Sequence, residues 1–130
     1  MAINHTYNHT IKNDAGAAVV ADTLLITGDA EENFSLAVAN GAVGNVVAAI
    51  VVANVLSFFI ESDQNVTMKL NSTGSPAAPS PVSLVAKRAY WWHNLLPNTN
   101  PLTVNITQFY FDNTAGTKVA NVRGGFLLQE

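Results

Sequence analysis

Polar and apolar residues alternate along most of this chain. In QNVTMKLN, Val66, Met68 and Leu70 fall on one side while Asn65, Thr67 and Lys69 fall on the other, the mark of a half-buried strand. LTVNITQFYF repeats it, with Leu102, Val104 and Ile106 inward, Thr103, Asn105 and Thr107 outward, and then Phe109, Tyr110 and Phe111 apolar on both sides. The same period of two runs through Phe34/Leu36/Val38, Leu56/Phe58/Ile60 and Val122/Phe126/Leu128. Each predicts strand rather than helix.

Clusters of Gly, Pro, Asn and Asp punctuate these runs: TGDAEEN after Ile26, ANGAVGN after Val38, ESDQN after Ile60, STGSPAAPSP after Asn71, LPNTNP after Leu95 and DNTAGT after Phe111. Such residues supply positive φ, fix φ or bond locally to the backbone, so they read as turns. Short strands at this spacing predict an all-β antiparallel sandwich or barrel. One segment is ambiguous. Val43, Val46, Val47, Ile50 and Val51 also fit a helical stripe, but β-branched residues fill half of 42–53, which favours a strand buried on both faces. Residues 1–18 are polar, carry the near-repeat NHTYNHT and end in Ala and Gly, and read as an arm preceding a sandwich domain at 19–130. In GSPAAPSP, residues 74–81, three prolines discourage both helix and strand pairing.

At 130 residues the chain suits one domain. Charged residues make up 12% of it, against about 25% in ordinary soluble domains, a sparseness that suits a surface partly covered by neighbours or coated with Asn, Thr and Ser. With a net charge of −3 and six basic residues there is no field to attract phosphates, so no nucleic-acid partner is expected. The absence of cysteine excludes disulfides, thiolate nucleophiles and cysteine-held zinc. The start, MAINHTYNHTIKND, has neither the basic nor the apolar region of a secretory signal, and the chain is expected to stay where it is made. Val46–Ile60 is 15 residues long and holds Asn54 and Ser57, short of the roughly 20 a membrane helix needs, so it reads as core and no membrane partner is expected. Six Asn-x-Ser/Thr triplets, at Asn4, Asn8, Asn33, Asn65, Asn71 and Asn105, read as incidental in a chain so rich in these residues.

Candidate chemistry is sparse. His5 and His9 stand at i, i+4, which on a helix would open a zinc site, but His93 is the only other histidine and nothing marks a further ligand. Asp29, Glu31, Glu32, Glu61 and Asp63 gather in two predicted turns, without the spacing of a calcium loop or of a glycosidase pair. No Gly-x-Ser-x-Gly elbow is present, and the histidines have no local triad pattern. VRGGF lacks the Lys-Ser/Thr sequel of a phosphate loop and reads as a bulge or a close strand crossing. The chain is expected not to be an enzyme and to need no cofactor or metal.

KRAYWWHNLL is more informative. On a strand, Tyr90 and Trp92 share one face and Trp91 and His93 the other, more aromatic area than a small core hides on one side. The second indole either lies beneath the proline-rich loop or belongs to a contact surface or a sugar-stacking platform. The candidate interface comprises His5, Tyr7 and His9 from the arm with Tyr90, Trp91 and His93 from this strand.

GDAEEN, LSFFIESDQNVTMKLNSTGSP, a Trp-bearing strand and NPLTVNITQFYFDNTAG together resemble small β-sandwich virion proteins of tailed bacteriophages, over roughly residues 28–128. The most specific part is IESDQNVTMKLNS. The pattern of that group is less aromatic where this chain has YWWH, and no catalytic residue is carried over. The resemblance implies a jelly-roll-like sandwich with an extended N-terminal arm. It implies a non-enzymatic protein made in the host cytoplasm that decorates or cements the capsid exterior of the virion, binding the major capsid protein and itself, with a homotrimer as the expected self-assembly. A carbohydrate-binding module of a tail or head fibre is the alternative.

Overall fold

The computed structural model describes residues 2–12, 14–16, 18–73 and 81–130, and the side chains of residues 9, 11–12 and 18–22 lie outside what it describes, as does most of the proline-rich stretch at 74–81. Among the described residues ten strands run in order: β1 (Ile3–Lys12), β2 (Ala18–Gly28), β3 (Ala30–Val38), β4 (Val43–Ile50), β5 (Val55–Ser62), β6 (Val66–Leu70), β7 (Val82–Leu84), β8 (Tyr90–His93), β9 (Ile106–Asp112) and β10 (Ala120–Leu128). β1 and β2 form a hairpin of their own, and the other eight make two four-stranded sheets, β3-β10-β5-β8 and β4-β9-β6-β7. The pairings nest: β3 with β10, β4 with β9, β5 with β8 and β6 with β7, all antiparallel. The two sheets pack face to face as a β-sandwich.

The expected alternation builds the core. Val66, Met68 and Leu70 are buried on β6 while Thr67 and Lys69 are only partly covered. Phe58 and Phe126 from one sheet meet Phe109 and Phe111 from the other, with Phe109 and Phe126 ring centroids 5.7 Å apart across the interlayer. Each such ring, fully buried, contributes roughly 1.5–3 kcal/mol. Trp92 belongs to this core and donates its indole N–H to the Asn98 carbonyl at 3.0 Å, so its one polar atom is satisfied. The glycines of VRGGF are a close crossing and not a bulge, because the register with β3 runs unbroken through them. A β-carbon on Gly124 would lie 2.5 Å from two ring atoms of Phe34, and one on Gly125 2.7 Å from Phe59, so the bare backbone makes room for an aromatic ring on each face.

Two sequence expectations need correction. β4 is a strand, but it is not buried on both faces: Val43, Asn45, Val47 and Ala49 point outward, with Val47 74% exposed, because β4 is an edge strand of a two-layer fold and only one side meets the core. The acidic cluster at 29–32 is also not a turn. β2 passes into β3 across Asp29 alone, and Glu31 and Glu32 lie within β3. Their carboxylates have partners that local pattern does not reveal: Glu32 accepts from the Ala49 N–H at 3.2 Å, and Asp29 from the Glu130 N–H at 2.8 Å.

The segment expected as an arm is one half of the β1–β2 hairpin, whose register runs from Ile3 opposite Gly28 to Lys12 opposite Ala18. β2 therefore belongs with the arm residues, and the sandwich sheets begin at Ala30. The base of the hairpin lies on the outer face of the β3-β10-β5-β8 sheet. Ile26 and Leu127 are buried there, outside the main core cluster, with Gly28 against the Leu127 side chain.

Candidate functional site

The outer face of that sheet carries every second residue of its strands: Glu31 and Asn33 from β3, Arg123 and Leu127 from β10, Ser57, Phe59 and Glu61 from β5, and Trp91 and His93 from β8. β1 lays His5 and Tyr7 onto it. His5 Nδ1 lies 3.0 Å from Ser57 Oγ, and its Nε2 lies 3.1 Å from Glu31 Oε1. The Tyr7 ring meets Trp91 at 5.9 Å and His93 at 4.9 Å between centroids, and Trp91 and His93 stack at 5.7 Å. Ser57 and His93 are completely buried in this contact layer.

Four of the six predicted interface residues thus come together: His5, Tyr7, Trp91 and His93. Tyr90 does not join them. Period two places it on the Trp92 side, where its ring packs 5.5 Å from Phe58, and burial raises its phenol pKa above the ordinary 10.0. His9 lies on β1, and its side chain is outside the described residues. On a strand, backbone positions four residues apart are separated by about 13 Å, so the helical reasoning that joined His5 to His9 does not operate here. Trp91, 38% exposed, answers for the second indole: it stacks on His93 and meets Tyr7 of the hairpin.

Beside the hairpin runs an open groove of about 530 Å³, bordered by Asn4–Asn8 of β1 and floored by Phe59, Glu61, Ala89, Trp91 and Arg123. Glu61 and Arg123 form an ion pair along it. The Arg123 side chain is 68% exposed, and such a pair adds little stability.

Sequence reasoning names Glu31 and Glu61 only as acids of predicted turns and misses Ser57, Phe59 and Arg123. Ser57 and Glu31 stand 52 and 26 positions from His5, so no motif scan joins them. The Ser57-His5-Glu31 trio has the connectivity of a nucleophilic triad, with the two ring nitrogens exchanged relative to the serine-protease arrangement. Ser57 Oγ has no surface through which a carbonyl could approach, and the trio fastens β1 to β5 and β3. The Asn33 side chain first, and His5 second, hold the Glu31 carboxyl below the usual 4.5. Burial lifts the Tyr7 phenol above 10.0, an effect the Ser57 hydroxyl opposes in part, so Tyr7 is neutral at physiological pH. Among the described residues no three His, Asp or Glu side chains gather as a metal site. No helix among the described residues is long and apolar enough to cross a membrane.

No family model, curated protein or solved structure matches this chain.

Proposed function

We propose that this chain is a non-enzymatic jelly-roll subunit that decorates or cements the outer surface of a bacteriophage capsid, bound to the major capsid protein and to copies of itself. The nested pairing supports the jelly-roll reading. Counted from β3, the first strand pairs with the eighth, the second with the seventh, the third with the sixth and the fourth with the fifth, as when one long hairpin is rolled into two sheets. Virion proteins are a recurrent home of that topology, and the resemblance carried by IESDQNVTMKLNS points the same way.

The observation that carries the assembly role is the hairpin. It fastens its base to the sandwich through His5, Tyr7 and Ile26 and leaves one edge of β1 without a partner strand among the described residues. The outward valines of β4, Val43 and Val47, add apolar surface on the opposite sheet. A cement protein does no chemistry; it sums many equivalent weak contacts across capsomer boundaries. Incubating the purified chain with undecorated capsids and sedimenting the particles tests the role. Stoichiometric co-sedimentation, with density over capsomer junctions by cryo-electron microscopy, is the expected result, and a protein that stays in the supernatant at every concentration refutes it.

One observation favours a second reading, a sugar-binding module. Trp91 and Phe59 floor a groove whose walls offer amide, hydroxyl and carboxylate groups, as a stacking platform for a sugar ring would. A glycan array combined with Trp91 fluorescence separates the two. Sugar binding that quenches the indole, on a chain that ignores capsids, selects the module.

A further inference from the structure

We propose that two copies of this chain join edge to edge through β1, antiparallel about a two-fold axis beside Tyr7. The argument begins with the groove. Five consecutive residues, Asn4, His5, Thr6, Tyr7 and Asn8, border it, although successive side chains of a strand point to opposite faces. All five can line one groove only if it runs along the edge of the strand, where the backbone N–H and C=O groups turned away from β2 lie. No third strand meets that edge among the described residues.

Strand edges that stay open in solution are guarded by lysine, proline, bulges or inward charges. Ile3–Thr10 contains none of these residues, and the one register shift of β1 comes at Ile11/Lys12. An edge so unguarded, and set over an aromatic floor, is built to be covered.

The near-repeat NHTYNHT identifies the occupant. Read backwards about Tyr7, INHTYNHTI, residues 3–11, keeps its Ile, His and Tyr positions and exchanges Asn with Thr at the other four. Antiparallel self-pairing centred there sets Tyr7 against the partner's Tyr7, Thr6 against the partner's Asn8, His5 against the partner's His9, Asn4 against the partner's Thr10 and Ile3 against the partner's Ile11. Like meets like at the apolar and aromatic positions, and asparagine meets threonine on the outward face. β1 already uses that Asn/Thr chemistry on its other edge, where Thr23 donates to Asn8 Oδ1 at 3.0 Å and Thr27 to Asn4 Oδ1 at 2.7 Å. Each asparagine amide keeps its N–H donors for a threonine hydroxyl across the new joint. Because the contact is isologous it closes at two copies and cannot propagate into a fibre. The joint makes pairs, in place of the threes that the family resemblance implies, and it does not depend on a capsid.

Sedimentation of the full chain from low micromolar to millimolar concentration tests it, with two charge variants. Thr6→Lys/Asn8→Lys and Thr6→Glu/Asn8→Glu each place like charges opposite one another twice, and each should weaken the dimer by roughly tenfold or more. Mixing the two in equal amounts should restore a heterodimer, which also proves that both variants are folded. The register is read by cysteines, since the chain has none of its own: Thr6→Cys mixed with Asn8→Cys should form a disulfide dimer under oxidised glutathione, and neither alone should do so efficiently. A wild-type chain that is monomeric throughout overturns the proposal and leaves the edge to a strand of another protein. A dimer indifferent to both charge sets, or one that fails to cross-link in the mixture, overturns it equally by placing the joint elsewhere.

Discussion

Gly124 shows how one missing side chain fixes a packing layer. Phe34 reaches over it toward Phe109 and Phe111, at 5.1 and 5.7 Å between centroids, so the ring bridges both sheets where a β-carbon would stand. Gly124→Val should therefore cost about 1–3 kcal/mol or more in urea unfolding, and Phe34→Ala in the same chain should remove part of that penalty, a coupling a double-mutant cycle reads directly. The acids define the pH response. Hydrogen bonds from Thr114 hold Asp112 below 3.8, those from Asn121 hold Asp63 below 3.8, and Asn33 and His5 hold Glu31 below 4.5. With folded values lowered, the stabilisation is present above the unfolded pKa values and is lost as pH falls through the folded ones. Urea midpoints should thus be level near neutrality and decline below about pH 4.5, with a shallower decline in Asp112→Asn. The glycine pair was visible in VRGGF as a close crossing. The carboxylate partners were not, since Asp63 and Asn121 lie 58 positions apart.

The hairpin is the element that decides what this surface can do. Its base is held by one histidine bridge, one aromatic cluster and the buried pair Ile26 and Leu127, a small area beside the sandwich core. Tyr7→Ala deletes the ring packed against both Trp91 and His93, whose pair contacts are each worth about 0.5–1.5 kcal/mol beyond burial. Hydrogen exchange should then speed up across Ile3–Asn8 and Thr23–Gly28 while β10 stays protected, and Trp91 emission should shift to the red. Equal acceleration in β10 would mean that the hairpin and the sandwich unfold as one unit. Period-two alternation revealed β6, β9 and β10 because each has one face in the core, and it placed Trp91 and Trp92 on opposite faces. It failed at GDAEEN, where a strand continues through residues that usually sit in turns. There the outer face of β3 is occupied by Glu31, Asn33 and Ser35, and Glu31 is held by His5 of β1 and not by solvent alone. The arm looked like a lone polar segment because its partner strand, Ala18–Gly28, lies beyond the compositional break at residue 18.

At the scale of the molecule, the nested pairing makes the last strand a keystone. β10 lies between β3 and β5, pairing with both, so Val122, Phe126 and Leu128 unite the first sandwich strand with the third. Its contacts with β3 span most of the chain, and loop closure of that length must precede any gain from the pairing. Folding should therefore be slow for a chain of this size, in the millisecond-to-second range by stopped-flow fluorescence of Trp92, and should not begin until β10 is available. A chain lacking residues 120–130 should lose near-ultraviolet circular dichroism and cooperative melting, because Phe58 and Phe109 would each lose the ring of Phe126 and two strands their central neighbour. A truncated chain that still melts cooperatively would show that the β4-β9-β6-β7 sheet organises the core by itself. The short strands and turn signals pointed to two packed sheets, yet which strands lie side by side is set by contacts between residues far apart, for which alternation within a strand carries no information.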